Sequence, residues 1–540
     1  MLGYKFINLS PEQVEIRRQQ LDRDGFLAWL TPIILLTVIY IYRRLYSFIS
    51  YSARDQNHSH KSATPHSWPR RVYRRAAWIL NTTYVSEFGP LRVQILGLFY
   101  VAWLISLAAR HTGNDYMHIT KALGHVAVSQ LPIHYLLSFK SPMSPISIAT
   151  GVSHEQLNPY HRLLGRLIHG FLAAHAVLYI RFFVVLDLLA KRIQHRDVRL
   201  GVLAFWSFNF LGLLAIPPIR RKLYHKVFYR SHVVLSAIVV PILFFHVPYT
   251  RKYVVQAGVL WFANGLARSR ASSVNGLTVT TLPDTNLVLV NLTVNKSRAF
   301  AEITPGQHVY VRRKGLGPRN PFSIVHTTPS ESGKAELDVS LVLRDLQGPQ
   351  TAYLSGLASK GLLPSLELSI EGPYGDSSHY LPRLISSSRQ GDRSQVLLIA
   401  GGVGATYSLP MYLALVKARR STEGLKLIWL VKSQSEAQWG LDVLQTAHVL
   451  VDVDIYVTGP SHNGSCNIKG VTVNTEGSRP DLASIIDDIM AFRCSFGKVT
   501  VMLCGPPGLS RVVRAAVGRQ VLSYGREVEW HEEQFGFGGS

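Results

Sequence analysis

Cysteine is nearly absent from this chain of 540 residues. It contains only three cysteines, Cys466, Cys494 and Cys504. Their spacing suits neither a zinc site nor a disulfide framework, so we expect free thiols. Acidic residues are also scarce, 33 against 57 lysines and arginines, and the net charge is +24. No basic patch is interleaved with aromatic residues, which argues against a nucleic-acid partner. The polar residues 1–25 lack the apolar core of a signal peptide, so we expect none.

Long apolar runs fill the first half of the chain, whereas the second half has the composition of a water-soluble protein. A membrane-spanning helix needs about 20 mostly apolar residues. The runs predict an all-α transmembrane bundle of about seven helices, near residues 27–48, 93–110, 118–139, 163–186, 199–217, 232–249 and 252–267. The third run contains polar residues and the last is short, so six or eight spans stay open.

The basic residues cluster beside the apolar runs and predict the orientation, because cytoplasmic loops are rich in lysine and arginine. The loop after the first span contains nine positive charges and the loop after the fifth contains five. Segment 190–199 is basic too, yet falls outside in this arrangement. We expect an extracellular tail, 1–26, and a cytoplasmic segment, 268–540, in the plasma membrane, with an internal membrane as the alternative.

The second half contains two different patterns of strands. Residues 275–380 have short alternating runs, such as LVLVNLTV, broken by glycine and proline, which predict a small antiparallel β-barrel. From residue 393 onward, apolar strands end in glycine turns and lead into helices, as in QVLLIAGGVGATYSLP. This pattern predicts an α/β nucleotide-binding domain.

Two apolar segments each carry a histidine at both ends: HRLLGRLIHGFLAAH from His161 to His175, and HVVLSAIVVPILFFH from His232 to His246. Fourteen residues make almost four helical turns and rise about 21 Å, so both histidines of a pair lie on one side of the helix. If the helices run parallel, His161 faces His232 and His175 faces His246. Two facing imidazoles can ligate one haem iron, so the four predict two stacked haems.

A membrane histidine can also serve as a hydrogen-bonded packing residue, although polar groups at that depth are usually functional. His118, His125, His134 and His169 lack matched partners, and we interpret them as packing residues.

The segments AARHTGN (108–114) and QLPIHYLLS (130–138), followed by the first histidine segment, resemble the ferric reductase-like transmembrane domain. That family includes fungal and plant metalloreductases and the superoxide-generating NADPH oxidases, and the fungal ferric-chelate reductases are the most similar. The resemblance covers about residues 90–540. It implies that His161, His175, His232 and His246 ligate the iron of two b-type haems.

A possible flavin motif follows strand GQHVYV: Arg319, Asn320, Pro321, Phe322 and Ser323. An arginine can pair with a flavin pyrophosphate and a serine can bind the ring system, although a turn in the core has the same pattern. The family's motif is usually His-Pro-Phe followed by Ser or Thr. The resemblance therefore implies FAD, with the contact at Asn320 left open.

Gly348 and Thr351 precede a predicted helix, where a hydroxyl and free amides bind phosphate or simply cap the helix. The resemblance implies a flavin pyrophosphate there. Segment EGPYG (371–375) resembles the end of the flavin domain in ferredoxin reductase-like enzymes. An aromatic residue near the C-terminus, Phe537 or alternatively Phe535, is implied to cover the flavin.

Gly401, Gly402 and Gly404 lie between a buried strand and a helix, where backbone can approach a pyrophosphate, or form a plain turn. The resemblance implies that Cys504 and Gly505, in CGPPG, form the second wall of a nicotinamide site, although Cys504 is equally a small buried residue. Lys432 follows strand KLIWLV, where a cation would recognise the 2′-phosphate of NADPH or would be ordinary surface charge.

Together these motifs predict four segments: 1–26, a tail; 27–267, a bundle with a haem core at about 93–250; 268–380, an FAD-binding barrel; and 381–540, an NADPH-binding α/β domain. The predicted function is electron transfer from NADPH through FAD and two haems to extracellular ferric or cupric chelates. Metal permeases or oxidases are possible partners. Superoxide production and a non-catalytic membrane scaffold remain alternatives.

Overall fold

The computed structural model of the chain describes residues 3–56, 68–85, 87–141, 144–223, 227–269, 272–296, 300, 303–313, 319–330, 336–360, 368–390, 394–460, 466–468, 470–475, 477, 479–492 and 498–533. It divides into two compact units. One contains residues 3–56 and 80–269 and is helical. The other contains residues 68–79 together with residues 272–533.

The first half of the chain contains twelve helices in its described part: α1 (Pro11–Gln56), α2 (Trp68–Leu80), α3 (Leu91–Ala109), α4 (Tyr116–Ser129), α5 (Leu131–Leu137), α6 (Pro145–Thr150), α7 (His154–Val185), α8 (Leu189–Arg192), α9 (Arg196–Ala215), α10 (Pro217–Leu223), α11 (Tyr229–His246) and α12 (Arg251–Ser269). All except most of α2 belong to the helical unit.

Five helices of the described part are long and apolar enough to cross a membrane: Pro11–Ile49, Leu91–Ala109, His154–Val185, Arg196–Ala215 and Tyr229–His246. Their outer faces expose large apolar side chains, including Val38, Phe99 and Phe210. Apolar faces of this extent are stable against lipid rather than water. The prediction of a multi-pass membrane protein is therefore confirmed.

The remaining predicted spans differ from the structure. The third, 118–139, corresponds to two helices. Helix α4 ends at Ser129 with Gln130 as its C-cap, and α5 has a proline in its first turn. The last corresponds to α12, which is not among the five apolar helices. The first helix begins at Pro11, so more than half of the predicted tail 1–26 is helical.

The second unit begins with a closed barrel of six antiparallel strands: β1 (Ser272–Thr281), β2 (Leu287–Asn295), β3 (His308–Arg313), β4 (Arg319–Pro329), β5 (Glu336–Arg344) and β6 (Leu368–Tyr374). Their order around the barrel is β1-β2-β5-β4-β3-β6. In β2, the alternating side chains Val288, Val290, Leu292 and Val294 fill the barrel core.

A seven-stranded sheet follows the barrel. Two helices flank β6 in the chain: α13 (Pro349–Lys360) and α14 (Ser377–Arg389). The strands of the sheet and the helices between them are β7 (Gln395–Gly401), α15 (Ala405–Arg419), β8 (Leu425–Val431), α16 (Gln438–Thr446), β9 (Val453–Val457), β10 (Cys466–Ile468), β11 (Val471–Asn474), α17 (Leu482–Phe492), β12 (Lys498–Cys504), α18 (Pro507–Tyr524) and β13 (Glu527–Glu533). The strand order is β10-β11-β9-β8-β7-β12-β13, and only the β10–β11 pair is antiparallel.

Both faces of this sheet are covered, as the continuous apolar run of β7 requires. Leu398 of β7 packs with Trp429 on one face, and Ile399 packs with Val501 on the other. The fold class, an α-helical membrane bundle followed by an antiparallel barrel and an α/β domain, is confirmed.

Candidate functional site

The histidines at the amino-terminal ends of their segments lie together. His161 on α7 and His232 on α11 have ring centroids 6.3 Å apart, with planes inclined by 71°. Among the described residues no such ring contact joins His175 and His246. Hydrogen bonds orient these two instead, because each Nδ1 is 2.7 Å from a backbone carbonyl, that of Thr120 for His175 and that of Asp197 for His246.

The separation of His161 and His232 can be compared with that expected for a shared iron. With metal–nitrogen bonds of about 2 Å and ring nitrogens about 1 Å from the ring centre, two imidazoles on one iron have centres about 6 Å apart. The observed 6.3 Å agrees with this value. The pair therefore fits an iron held from both sides.

The hydrogen bonds also determine which ring nitrogen can bind metal. A carbonyl only accepts, so Nδ1 of His175 and Nδ1 of His246 must carry the proton, and Nε2 is then the unprotonated nitrogen. His161 has the same arrangement, with Nδ1 3.2 Å from the carbonyl of His134. Metal-ligating histidines typically donate their second ring N–H in this way. Three of the four proposed ligands thus have the tautomer that ligation requires.

Two glycines permit the close packing of His175 and His246 against neighbouring helices. A Cβ at Gly124 would lie 2.6 Å from Nδ1 of His175, and a Cβ at Gly201 would lie 2.7 Å from the ring of His246. Both distances are shorter than any normal contact. Small residues allow such close packing in membrane bundles.

The histidines without matched partners have other contacts. His134 stacks on His161 at 4.1 Å with planes 8° apart. His169 lies 3.0 Å from the amide oxygen of Asn209, and His125 lies 3.4 Å from Asp22. His118 is buried near the start of α4. Our sequence reasoning missed the contact of His134 with a proposed ligand, because His134 lies on the separate helix α5, which no spacing rule revealed.

The predicted flavin motif lies on β4, paired with β3. Ser323 is opposite His308, and Asn320 is opposite Val311. Oγ of Ser323 and Oδ1 of Asn320 are buried and have no hydrogen-bond partner in the part of the chain that the structure describes. Buried polar atoms normally have partners. The two atoms therefore fit a polar ligand such as the flavin ring system, and Asn320 supplies an acceptor where the family usually has histidine.

The other residues of the motif are engaged within the barrel. Arg319 forms an ion pair with Glu371, with Nη1 and Oε2 2.8 Å apart. Pro321 is opposite Tyr310, and Phe322 packs against the barrel core. A guanidinium has five N–H donors, so this ion pair alone does not occupy the whole group.

Gly348 and Thr351 form a local cap at the start of α13. The backbone N–H of Gly348 is 3.2 Å from Oγ1 of Thr351. The next residue in that turn, Gln350, donates from Nε2 to the carbonyl of Val311 at 2.8 Å and so attaches the helix start to β3. The helix cap that we considered as the alternative role of Gly348 and Thr351 is therefore present. It lies at the helix start, where free backbone amides would bind a phosphate.

The glycine loops after β7 and β12 lie side by side. These adjacent parallel strands are where the strand order reverses, which is the usual place for a dinucleotide crevice. A Cβ at Gly401 would lie 2.8 Å from Pro506, one at Gly404 would overlap the carbonyl of Cys504, and one at Gly505 would lie 3.2 Å from the nitrogen of Gly401. Gly402 has a φ of 55°. All four positions therefore require glycine.

Cys504, at the end of β12, is a free and fully buried thiol. Burial raises its pKa well above the usual value, and the carboxylates of Glu533 and Glu532 add to the effect. The side chain is therefore a neutral thiol at physiological pH. It can line a nicotinamide site without supplying a charge.

Lys432 follows β8, next to β7, and its side chain is exposed. Its backbone N–H is 3.3 Å from Oε2 of Glu436, and the same carboxylate oxygen pairs with Nη2 of Arg344 at 3.0 Å. Arg344 reaches the glycine loop, with Nη2 3.1 Å from the position of a Cβ on Gly402. We did not single out this arginine from the sequence, because it lies at the end of a barrel strand far from the loop. Phe537 and Phe535 lie outside the described residues.

Comparisons with known proteins agree with this geometry. Residues 123–243 match the family described as ferric reductase like transmembrane component, and residues 393–518 match the ferric reductase NAD binding domain. Both matched segments are therefore similar to ferric reductase domains, as the sequence resemblance indicated. Its second unit is an FAD/NAD(P)-binding reductase module.

Curated relatives are similar over much of the chain. Ferric reductase transmembrane component 5 of Saccharomyces cerevisiae is 24% identical over 76% of this chain and 60% of its own length. Probable metalloreductase AIM14 of Scheffersomyces stipitis is 24% identical over 74% of this chain and 69% of its own length. Probable cell surface ferric reductase kap2 of Aspergillus oryzae is 25% identical over 58% of this chain and 44% of its own length. The chain thus spans between about half and two thirds of the length of these relatives.

Proposed function

We propose that this protein is a membrane metalloreductase that uses cytoplasmic NADPH to reduce ferric or cupric chelates on the opposite side of the membrane. The observation that carries the proposal is the 6.3 Å separation of the His161 and His232 rings. Candidate flavin and nicotinamide sites follow later in the same chain, so one molecule would bind both the electron donor and the cofactors that carry its electrons. The names of the relatives, ferric reductases and metalloreductases, support the chemistry.

The groups that the chain would hold are FAD and two b-type haems, which together convert a two-electron hydride donor into a supply of single electrons. His161 and His232 would hold one iron, and His175 and His246 the other. The carbonyls of His134, Thr120 and Asp197 keep Nε2 of three of these ligands available. The packed apolar helices exclude water, so protons and ions do not follow the electrons.

In the cytoplasmic module, Ser323 and Asn320 would bind the flavin ring, and the amides around Gly348 and Thr351 would bind its pyrophosphate. Gly401, Gly404 and Gly505 let the loops after β7 and β12 pack against each other. The crevice between these strands would then receive the dinucleotide. The cationic side chains of Lys432 and Arg344 near this crevice favour NADPH over NADH, because the 2′-phosphate needs a positive partner.

The orientation rests on the basic loops, which favour a cytoplasmic module and a plasma membrane location. A metal permease or oxidase that takes up the reduced ion is a suitable partner, and nucleic acid is not.

The experiment that tests the function uses the purified full chain in sealed vesicles, with NADPH on the side of residues 268–540 and a ferric or cupric chelate on the other side. Metal reduction is followed by a colorimetric ferrous or cuprous chelator, and superoxide by a superoxide-specific probe with and without dismutase. The variant His175→Ala removes a proposed ligand, and His169→Ala, on the same helix, is the matched control.

We expect metal reduction that resists dismutase, is lost in His175→Ala and persists in His169→Ala. If superoxide is the main product, the protein is a superoxide-generating oxidase and not a metalloreductase. Absence of both activities together with absence of haem absorbance would support a non-catalytic scaffold. Unchanged metal reduction in His175→Ala would contradict the assignment of that ligand.

A further inference from the structure

Helix α2 belongs to the second unit although it follows the first membrane helix in the chain. Trp78 is buried among residues of α17, α18 and β12, including Ile486 and Val517. Its ring contacts Trp530 edge-on at 5.7 Å, and the guanidinium of Arg514 lies over both indoles, at 4.8 and 5.2 Å. The helix is therefore attached to the nucleotide-binding domain by a packed aromatic contact.

Three of the four arginines of α2, Arg71, Arg74 and Arg75, contact this domain, whereas Arg70 is exposed. Arg74 donates to the carbonyl of Gly525 at 3.1 Å and forms an ion pair with Glu527. The side chain of Arg71 packs beside Gly525, with Cγ 3.2 Å from the position of a Cβ there. The polar face of α2 thus faces protein, which is the reverse of an ordinary surface helix.

The opposite face of α2 is apolar and exposed. Val72 lies four residues after Trp68, and Ile79 lies seven residues after Val72. The exposed fractions of the side chains on this face are 76% for Trp68, 44% for Val72, 74% for Tyr73 and 40% for Ile79. None of them is part of a hydrophobic core of the described chain. Such a surface, with two large aromatic rings in 13 residues, marks an interaction site.

The position of α2 in the chain indicates what covers this face. It lies between two helices that are long and apolar enough to cross a membrane, Pro11–Ile49 and Leu91–Ala109. Only residues 81–90 separate it from the second of these, a stretch that reaches at most about 35 Å when fully extended. The carboxyl end of α2 therefore lies within about 35 Å of the start of the second membrane helix.

The composition of the helix points to the same occupant. Trp and Tyr on the apolar side, with arginines on the other side, are typical of helices that lie in the membrane–water interface. A soluble protein partner would not need the covalent confinement of α2 between two membrane helices.

We propose that α2 lies in the cytoplasmic interface of the lipid bilayer, with Trp68, Val72, Tyr73 and Ile79 among the lipids and its arginine side on the nucleotide-binding domain. The helix thereby tethers this domain to the membrane surface, in addition to the direct connection of the chain after α12. This inference does not depend on the electron acceptor or on the haems.

The test places a nitroxide spin label on the apolar face of the full chain in lipid nanodiscs. The labelled variant is Val72→Cys in a background with Cys466→Ser and Cys494→Ser, since Cys504 is fully buried. The control label is Leu450→Cys, at a loop residue that is 83% exposed. Power saturation measures collisions of each label with oxygen, which concentrates in lipid, and with a neutral nickel chelate, which stays in water. Equal thermal unfolding midpoints establish that both variants fold.

We expect the label at position 72 to collide with oxygen more often, and with the nickel chelate about fivefold less often, than the label at position 450. Nickel collisions equal to those at position 450 would overturn the proposal, because the face would then be in water. Protection from both reagents would overturn it as well, in favour of coverage by protein. In that case cross-linking through position 72 would identify either a second copy or another segment of this chain.

Discussion

The ring of His134 lies flat on the ring of His161, with centroids 4.1 Å apart and planes inclined by only 8°. The backbone carbonyl of His134 also accepts the Nδ1 hydrogen of His161 at 3.2 Å. One residue of α5 thus positions a proposed ligand of α7 in two ways. His134 is a positioning residue, because its ring contacts the ligand rather than a cofactor.

Replacing His134 by leucine keeps the backbone carbonyl and removes the stack. Stacked rings contribute about 1 kcal/mol beyond their burial, so His161 should remain in place with a broader range of ring angles. We expect two haems to be retained, with altered low-spin electron paramagnetic resonance signals for one of them. His134→Phe, which restores a stacking ring, should recover the original signal. An unchanged signal in His134→Leu would show that the stack does not orient the ligand.

Gly124→Ala should displace His175, because the added Cβ would lie 2.6 Å from its Nδ1. The hydrogen bond to the carbonyl of Thr120 would then be lost. Overpacking of this kind costs about 1–3 kcal/mol, so we expect loss of roughly half of the haem absorbance. Gly170→Ala is the matched control, since no atom lies within 4 Å of the position of its Cβ. Equal haem content in the two variants would contradict the assignment of His175 as a haem ligand.

Lys432→Ala should change the choice of nicotinamide. Loss of one exposed cation near a 2′-phosphate corresponds to about 1 kcal/mol, so the KM for NADPH should rise about fivefold to tenfold while that for NADH stays constant. Steady-state reduction of a soluble artificial acceptor measures both constants. Lys417→Ala, which removes a charge from α15, is the control. A parallel rise of both KM values would indicate general destabilisation of the site.

Glu529 predicts a pH dependence of stability. A hydrogen bond from His531, together with one from Lys498, lowers the pKa of this carboxyl from 4.5 to about 2. A lowered folded-state pKa stabilises the fold above the unfolded value, and this contribution is lost as pH falls from 4.5 through 2. We expect Glu529→Gln to cost about 1 kcal/mol at pH 6 and progressively less below pH 4.5, measured by thermal unfolding of the full chain. A cost that does not change with pH would contradict the shift.

Local patterns in the sequence predicted much of the fold. The alternation in LVLVNLTV identified β2, and the glycine turn after QVLLIAG identified the start of α15, because both patterns arise from residues adjacent in the chain. The break at Gln130 was not predicted, since its amide is satisfied by a contact with Ala28 on another helix. A proline can either kink a helix or end it, so Pro132 alone did not decide between one helix and two.

The contacts between distant residues were the hardest to predict. The spacing of His161 and His232 indicated a pair, because each lies in a helix with a matching partner. Nothing in the sequence placed Arg344 beside Gly402 or Trp78 beside Trp530, since these contacts depend on how whole elements pack. Periodicity within one element shows which face a residue lies on, and it does not show which distant element that face contacts.

The central claim is that four histidines hold two irons, and counting haems in the purified full chain tests it most directly. The account predicts two b-type haems per chain, both low-spin with two imidazole ligands. It predicts one haem in His246→Ala, in which only the pair of His161 and His232 remains complete. A chain purified without haem, or a full complement of two in that variant, would contradict the account.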